Sequence, residues 1–320
     1  MKLSIIYHIY KNTSHLESSL KNIFDQKQQD FEFILVNDSA TPSVLKILKK
    51  FNFTKLKHFT YYNFSQNMGH SFSFNRAVKQ ARGEYVYYCG SNIILKKDFV
   101  STIYSIIKKQ QDVDVISFTN RENGSNQVVF SKLDSSLERL VPISIKYAIT
   151  RKKILVDNNI FLNDEHYFPL IFICRLLMIF KKWVVYENVL AEFHTNRFYA
   201  YDLYDIFEQN TLLIRNYQNS VFYKKHRDFL EYAMIIFILL FFLPRVFLSY
   251  KERKSRNIAL QQAESWLAKN LPKFKDNKTL NNKKGNRVYL SKESIGYIKK
   301  FKFSPRYINK FIKSKGFENL

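Results

Sequence analysis

The sequence predicts an α/β protein, with a mostly parallel β-sheet flanked by helices and followed by a helical, basic C-terminal extension. In the first 120 residues, short apolar segments alternate with segments whose apolar residues recur at helical spacing. Continuously apolar strands are typical of parallel sheets that helices cover on both faces. Beyond residue 201 the pattern is helical, and the last quarter of the chain is strongly basic. These observations define the fold class.

Each element follows from local pattern. The predicted strands are rich in β-branched and aromatic residues and comprise 3–9, 31–36, 58–64, 84–89, 113–119 and 182–187. The predicted helices between them comprise 15–26, 43–51, 70–82 and 98–110. From these patterns we predict an α/β domain over 1–200, a helical region with an apolar segment over 201–250, and a basic tail over 251–320.

Composition restricts the partners and the compartment. The 320 residues carry a net charge of +24, which indicates an anionic partner: a phospholipid surface, a nucleic acid or a phosphate-bearing substrate. The basic tail has neither zinc-ligand spacing nor an RNA-recognition signature, so we expect no specific nucleic acid. Two cysteines, far apart, suit a reducing compartment and exclude a disulfide framework. The N-terminal segment is predicted to be a strand, not a secretion signal.

An apolar segment precedes the basic tail. Residues 250–320 contain 19 Lys and Arg against 5 Asp and Glu, or 19 − 5 = +14. Between Glu231 and Arg245 no residue is charged, and these thirteen residues span about 20 Å as a helix, against about 30 Å for a bilayer core. We favour an interfacial helix with the tail on anionic headgroups, at the cytoplasmic face of the cell membrane, peripheral or monotopic. A buried core helix and a true span are the alternatives.

Three polar clusters follow predicted strands. They are residues 8–11, 37–39 and 90–92. In open parallel sheets, ligands bind beyond the carboxyl ends of the strands. We therefore expect these clusters to share one crevice.

Three segments carry a family resemblance: SIIYHIYKN (4–12), DFEFILVNDSA (30–40) and NMGHSFSFNRAVKQARGEY (67–85). In this order and spacing they resemble the family-2 glycosyltransferases, which have the GT-A nucleotide-sugar-binding fold. The similarity covers roughly residues 1–200. It implies inverting transfer of a hexose from a nucleotide diphosphate sugar, most simply a UDP-sugar, to a membrane-associated lipid or polysaccharide acceptor.

The resemblance also implies a set of donor-binding residues: His8, Tyr10, Asp38, Asn67, Arg76, Ser91 and Asn92. Tyr10 and Asp38 would contact the nucleobase, with Asp38 accepting a hydrogen bond from the ring imide, because a carboxylate only accepts. The alternative for Asp38 is a turn-forming residue after the strand.

The chain departs from the family at the metal site. Gly90-Ser91-Asn92 stands where the family has the Asp-x-Asp that holds Mn²⁺ or Mg²⁺, and only Asn92 remains as a metal ligand, with one neutral carbonyl. Phe74 replaces an Arg that often precedes Asn75. Either side-chain cations neutralise the diphosphate, or the chain is a catalytically inactive member that acts as a membrane or partner-binding module. The candidate cations are Lys11, Arg76, Lys96 and Arg197.

The catalytic residues implied by the resemblance are Asp164 and Glu165. The family has an acidic pair in E-D-x-x-F, whose second acid deprotonates the acceptor hydroxyl, and NDEHYF (163–168) matches this spacing. Glu165 would be the general base. The alternatives are that the acids complement a helix N-terminus, or that His166 is the base.

Overall fold

A computed structural model describes residues 1–10, 15–38, 42–90, 93–119, 127–134, 137, 145–162, 170–193, 203–281 and 292–314. The chain divides into two compact units, Met1–Asn196 and Arg197–Leu320. The predicted extent of the α/β domain, 1–200, stays a prediction. The predicted division of the second unit into an apolar region and a basic tail stays a prediction.

The N-terminal unit contains ten strands within the described residues. They are β1 (Leu3–Ile9), β2 (Glu32–Asn37), β3 (His58–Asn63), β4 (Tyr85–Gly90), β5 (Ile93–Leu95), β6 (Val115–Phe118), β7 (Gln127–Phe130), β8 (Ala148–Arg151), β9 (Trp183–Tyr186) and β10 (Ala191–Phe193). Eight of them form one sheet in the order β3-β2-β1-β4-β8-β6-β9-β7, and β5 pairs with β10 in a small antiparallel sheet.

The large sheet is parallel in its first half and mixed in its second. β1, β2, β3 and β4 pair in parallel, as do β6 and β9. β8 and β7 run antiparallel to their neighbours. The prediction of a mostly parallel sheet flanked by helices is confirmed, and the antiparallel β8 is an addition that separates β4 from β6.

Helices connect the strands of this unit. They are α1 (Leu16–Phe24), α2 (Pro42–Leu48), α3 (His70–Gln80), α4 (Phe99–Lys109), α5 (Lys152–Asp157) and α6 (Leu170–Ile179). In α1 the buried apolar residues are Leu16, Leu20 and Ile23, which is the helical spacing seen in the sequence. Every residue of β1 and β2 is buried, because helices cover both faces of the sheet there. β3, at the sheet edge, is only partly buried.

The strand order places a topological switch point between β1 and β4, where a ligand crevice is expected. The chain winds from β1 through β2 to β3 on one side, and then returns to place β4 on the other side of β1. At such a switch point, the connections leaving the two strands turn in opposite directions, so a cleft opens at their carboxyl ends. His8 is the residue of β1 that pairs with Gly90 of β4 at this end.

The C-terminal unit is helical wherever it is described. Its helices are α7 (Asp205–Tyr217), α8 (Val221–Ile236), α9 (Leu243–Ser249), α10 (Arg253–Asn270), α11 (Lys278–Asn281), α12 (Lys292–Lys299) and α13 (Pro305–Ile312). A π-helical segment, Phe237–Phe242, joins α8 and α9 into one helix. Single π-turns are rare and often lie at functional positions.

The apolar segment lies inside this unit. Among the described residues, Val221–Ser249 is the one helix whose length and apolar composition would allow it to cross a bilayer, and 78% of its most apolar window is buried within the protein. Side chains buried in this way cannot also face lipid. This burial favours the core-helix alternative for the apolar segment.

Candidate functional site

The crevice is lined by residues from β1, β2 and the start of α3. His8 lies near the end of β1 and Tyr10 just beyond it, while Asp38 follows β2 directly. α3 begins after Gly69, whose φ of +87° lies in the region that favours glycine. The predicted convergence of the β1 and β2 ends is therefore present in the described residues.

Asp38 is fully buried and accepts three hydrogen bonds from its own chain. Its Oδ1 accepts from the Met68 backbone N–H at 2.6 Å. Its Oδ2 faces the Ser73 hydroxyl at 3.3 Å and His8 Nε2 at 3.2 Å. Burying a carboxylate is costly unless such partners compensate. Because the carboxylate has no exposed surface, a nucleobase reaches it only if one of these donors moves away.

The ring of His8 is enclosed by other rings. It lies nearly parallel to the rings of Tyr10 and Tyr88, with centroids 6.5 Å and 6.0 Å away and interplanar angles of 15° and 25°. His70, the first residue of α3, approaches it edge-on at 5.7 Å. Aromatic pairs favour these offset and edge-on arrangements. The result is an aromatic wall around one buried carboxylate.

His70 is a neutral member of this wall. Burial is the main cause that lowers its pKa to about 3, the neighbouring His8 lowers it further, and Asp38 opposes them. Its Nδ1 lies 3.0 Å from the Tyr88 hydroxyl. Because a phenol is a good donor and a neutral imidazole nitrogen accepts, we assign the proton of this bond to Tyr88. The remaining proton of His70 is then on Nε2.

Asn67 supports the rim of the crevice. Its Nδ2 donates to the Tyr10 hydroxyl at 3.3 Å, and its Oδ1 accepts from the Gly69 N–H at 3.0 Å. The second bond closes a small turn that leads into α3. Tyr10 is only partly buried, so one part of its ring faces solvent beside the crevice.

Phe74 and Arg76 of α3 both contact aromatic rings. Phe74 is buried and packs edge-on against Tyr88 and Phe172, at 5.0 Å and 5.5 Å. An apolar contact thus stands where the family has a cation. The guanidinium of Arg76 lies over the rings of Tyr62 and Phe64, 5.4 Å and 5.7 Å from their centroids. Its predicted role in donor binding stays a prediction.

Asn75 of α3 holds the segment that leads to the predicted catalytic acids. Its Nδ2 donates to the Leu162 carbonyl at 2.8 Å, and its Oδ1 accepts from the Leu162 N–H at 2.9 Å. Leu162 is the last described residue before the NDEHYF segment. Asp164, Glu165 and His166 themselves lie outside the described residues.

The metal-binding prediction concerns the segment Gly90-Ser91-Asn92, of which Ser91 and Asn92 lie outside the described residues. Within the described ranges, no group of three His, Cys, Asp or Glu side chains is placed to hold a metal ion. Hard divalent cations need several oxygen ligands, with carboxylates foremost. Gly90, Ser91 and Asn92 supply no carboxylate, and the buried Asp38 carboxylate already accepts three hydrogen bonds from its own chain. This donor set does not fit a divalent cation, and we derive no step through one.

The other candidate cations are placed only in part. Lys96 lines a cavity of 380 Å³ together with Lys27, Lys97, Asp98 and Glu192. Its position in relation to a bound diphosphate stays untested. Lys11 and Arg197 lie outside the described residues.

The sequence analysis did not identify several residues that build the site. Ser73 and the Met68 backbone reach Asp38, while His70 and Tyr88 complete the wall around His8. A signal was available, because these residues fall in or beside the family-like segment 67–85. The residue types alone gave no indication that they meet Asp38, which lies 30 residues earlier.

The sheet lies between layers of helices, and aromatic and acidic side chains cluster at its switch point. This architecture is typical of nucleotide-binding α/β proteins. Comparison with known sequences makes the class specific. Residues 4–172, more than half of the chain, match the family model for Glycosyl transferase family 2. The chain belongs to this family.

Individual relatives agree with this assignment. Glycosyltransferase GlyA of Streptococcus pneumoniae is 26% identical over 42% of this chain and 19% of its own length. Poly(ribitol-phosphate) β-N-acetylglucosaminyltransferase TarP of Staphylococcus aureus is 24% identical over 49% of this chain and 51% of its own length. The chain thus spans about a fifth to a half of these two relatives.

A solved structure supports the fold. The structure of S. aureus TarS residues 1–349 in complex with UDP-GlcNAc superimposes on this chain with a TM-score of 0.60. The match covers 98% of this chain and 90% of the TarS chain, at 17% sequence identity. At this identity the similarity shows the fold alone, and it confirms the GT-A prediction.

Proposed function

We propose that the protein transfers a hexose, with inversion, from a UDP-sugar to a membrane-associated lipid or polysaccharide acceptor. The observation that carries this proposal is the crevice at the β1–β4 switch point, where Tyr10 lies at the rim and the Asp38 carboxylate lies behind His8. Family membership supports the reaction class. The UDP-GlcNAc complex of TarS supports uridine as the nucleoside, and the poly(ribitol-phosphate) in the name of TarP supports a polymer as the acceptor.

The residues of the chain have distinct roles in this proposal. The exposed part of the Tyr10 ring offers a stacking surface for the base, and the Asp38 carboxylate accepts a hydrogen bond from the base N–H. Glu165 removes the acceptor proton during a single displacement. Phe74 provides packing in place of a phosphate-binding cation.

A transfer assay tests the proposal. Membranes supply acceptor, UDP-hexoses and GDP-hexoses are offered with Mn²⁺ or with chelator, and UDP-GlcNAc is assayed first. We expect product from a UDP-sugar and its loss in Glu165→Gln, while Glu17→Gln, an exposed carboxylate of α1, retains activity. Absence of product with every donor contradicts the proposal.

A catalytically inactive binding module is the second candidate. The change of Asp-x-Asp to Gly90-Ser91-Asn92 and the burial of Phe74 against Tyr88 favour it. Under this alternative, Glu165→Gln leaves the cellular phenotype unchanged, whereas it abolishes the phenotype of an active transferase. The phenotype of this one variant therefore distinguishes the two candidate functions.

We further propose that the C-terminal unit holds the protein on the cytoplasmic face of the cell membrane through charge. Residues 299–313 contain six cations and no acid: Lys299, Lys300, Lys302, Arg306, Lys310 and Lys313. All six are exposed, and none forms an ion pair with another described residue. On α13, Arg306, Lys310 and Lys313 lie at helical spacing on one face, opposite the buried Ile308 and Phe311.

Vesicle binding tests this attachment. A basic residue near an anionic surface contributes about 1 kcal/mol, so neutralising three of them weakens binding by about a hundredfold. The variant is Arg306→Ala, Lys310→Ala, Lys313→Ala, and the control neutralises three exposed lysines of the N-terminal unit, Lys21, Lys46 and Lys49. Equal binding to phosphatidylserine and to phosphatidylcholine vesicles contradicts the attachment.

A further inference from the structure

His8 lies at the end of β1, beside the Asp38 carboxylate. The family resembled by this chain usually has Pro or Thr at this position. In β1 the His8 backbone pairs with Val36 on one side and Gly90 on the other, so the strand fixes where the side chain starts. The ring is 7% exposed and lies beside Tyr10 and Tyr88. A proline or threonine offers no ring N–H here.

The proton of the His8–Asp38 contact belongs to His8. A carboxylate only accepts, so the Nε2 atom 3.2 Å from Asp38 Oδ2 carries the hydrogen and donates it. The contact exists with a neutral ring and becomes an ion pair when the ring is protonated. In either state His8 occupies Asp38 Oδ2.

The three donors on Asp38 differ in how easily they are displaced. The Met68 N–H belongs to the backbone before α3, and Ser73 lies on the buried face of α3. The N–H is fixed by the backbone, and the Ser73 side chain has no exposed surface, whereas His8 is partly exposed. His8 donates from a side chain that can change its rotamer without breaking a backbone hydrogen bond. It is the donor that a ligand can replace.

We propose that His8 competes with the nucleobase for Asp38 Oδ2, so that nucleotide binds only when the His8 side chain turns away. This inference rests on the proposed function, because it concerns the same nucleotide site. It assigns to His8 a role that the family residue cannot have. When the open state is populated for only a fraction of the time, the apparent affinity equals the intrinsic affinity multiplied by that open fraction.

The test compares UDP binding by calorimetry for the full chain and its variants at one pH. The variants are His8→Thr, which restores a family residue, and His8→Phe, which keeps an aromatic ring beside Tyr10 and Tyr88 without its N–H. His58→Thr, at the start of β3, is the control for a histidine outside the crevice. We expect both His8 variants to bind UDP about tenfold more tightly than the wild type. His58→Thr follows the wild type.

Each outcome decides a separate point. UDP binding by the wild type with equal or weaker binding by both His8 variants overturns the competition, while the nucleotide site stands. Binding by the variants alone supports the competition in its strongest form. Absence of UDP binding in the wild type and in every variant overturns the nucleotide site together with the role of His8.

Discussion

The side-chain amide of Asn75 and the backbone of Leu162 form a closed pair of hydrogen bonds across 87 residues of sequence, at 2.8 Å and 2.9 Å. One end is on α3, the helix whose residue Ser73 contacts Asp38. The other end is the last described residue before the segment of Asp164 and Glu165. The pair therefore links the proposed donor site to the predicted catalytic acids.

Breaking this link changes both stability and turnover. Two partly buried hydrogen bonds contribute about 1–3 kcal/mol, and we expect Asn75→Ala to lose that amount of unfolding free energy. Because Leu162 is released, kcat of transfer falls while the affinity for UDP changes little. Asn75→Asp keeps the acceptor and gives an intermediate effect.

Chemical denaturation and steady-state kinetics measure these changes. The matched control is Asn158→Ala, whose amide bonds to the Ile154 carbonyl on an exposed helix end, and for which we expect less than about 0.5 kcal/mol. If Asn75→Ala and Asn158→Ala are equally stable and active, the link has no role.

Gly83 is required by close packing at the start of β4. A Cβ atom at this position would lie 2.5 Å from the Ser4 backbone nitrogen and 2.7 Å from the Leu3 carbonyl carbon. Backbone atoms inside a sheet cannot yield, so we expect Gly83→Ala to cost about 2–4 kcal/mol. Gly296, in α12, has open space around its Cβ position, and Gly296→Ala is expected to stabilise by about 0.5–1 kcal/mol. Thermal unfolding of the two variants should move in opposite directions.

Glu32 of β2 is a buried structural carboxylate. It accepts from the Ser4 hydroxyl at 2.6 Å, the Arg82 N–H at 2.7 Å and Arg82 Nε at 3.0 Å. We expect Glu32→Ala to lose about 2–4 kcal/mol, mainly from the unsatisfied Ser4 and backbone donors, because the Arg82 side chain is 63% exposed and its charge is screened. Glu17→Ala, which removes an exposed pair with Lys50, should cost less than about 1 kcal/mol. Similar losses in the two variants would refute the structural role of Glu32.

His70 makes stability depend on pH. Its pKa is lowered from 6.5 to about 3, mainly by burial. Below pH 6.5 the unfolded chain binds a proton that the folded chain excludes, so stability is lost as the pH falls from 6.5 toward 3. Since part of the ring reaches solvent, we expect about 1–2 kcal/mol between pH 6.5 and 4.5. Urea unfolding of the wild type and His70→Gln measures the contribution, which the variant should lack.

The sequence predicted the elements that have a clear periodicity. Strand 3–9 is the observed β1, and the helix that begins at residue 70 is α3, because apolar runs and helical spacing are long enough there to define the element. β8 was not predicted as a strand. It has four residues and runs antiparallel between β4 and β6, so its pattern is too short to separate from the following helix.

The candidate site was predictable in position but not in detail. Strand ends placed His8, Tyr10 and Asp38 at one edge of the sheet, since parallel strands align their carboxyl ends. Hydrogen bonds from Met68 and Ser73 to Asp38 depend on how α3 docks, which local pattern does not encode. The burial of the apolar segment also depends on packing, because a core helix and a membrane helix share one composition.

Calorimetric titration of the full chain with UDP, once with Mn²⁺ and once with a chelator, measures whether the crevice binds nucleotide and whether binding needs a metal. We predict binding in both conditions with similar affinity, because the crevice recognises the nucleoside and its loop offers a divalent cation no carboxylate. Heat of binding in neither condition would contradict the nucleotide site, and binding only with Mn²⁺ would contradict its metal-independent form.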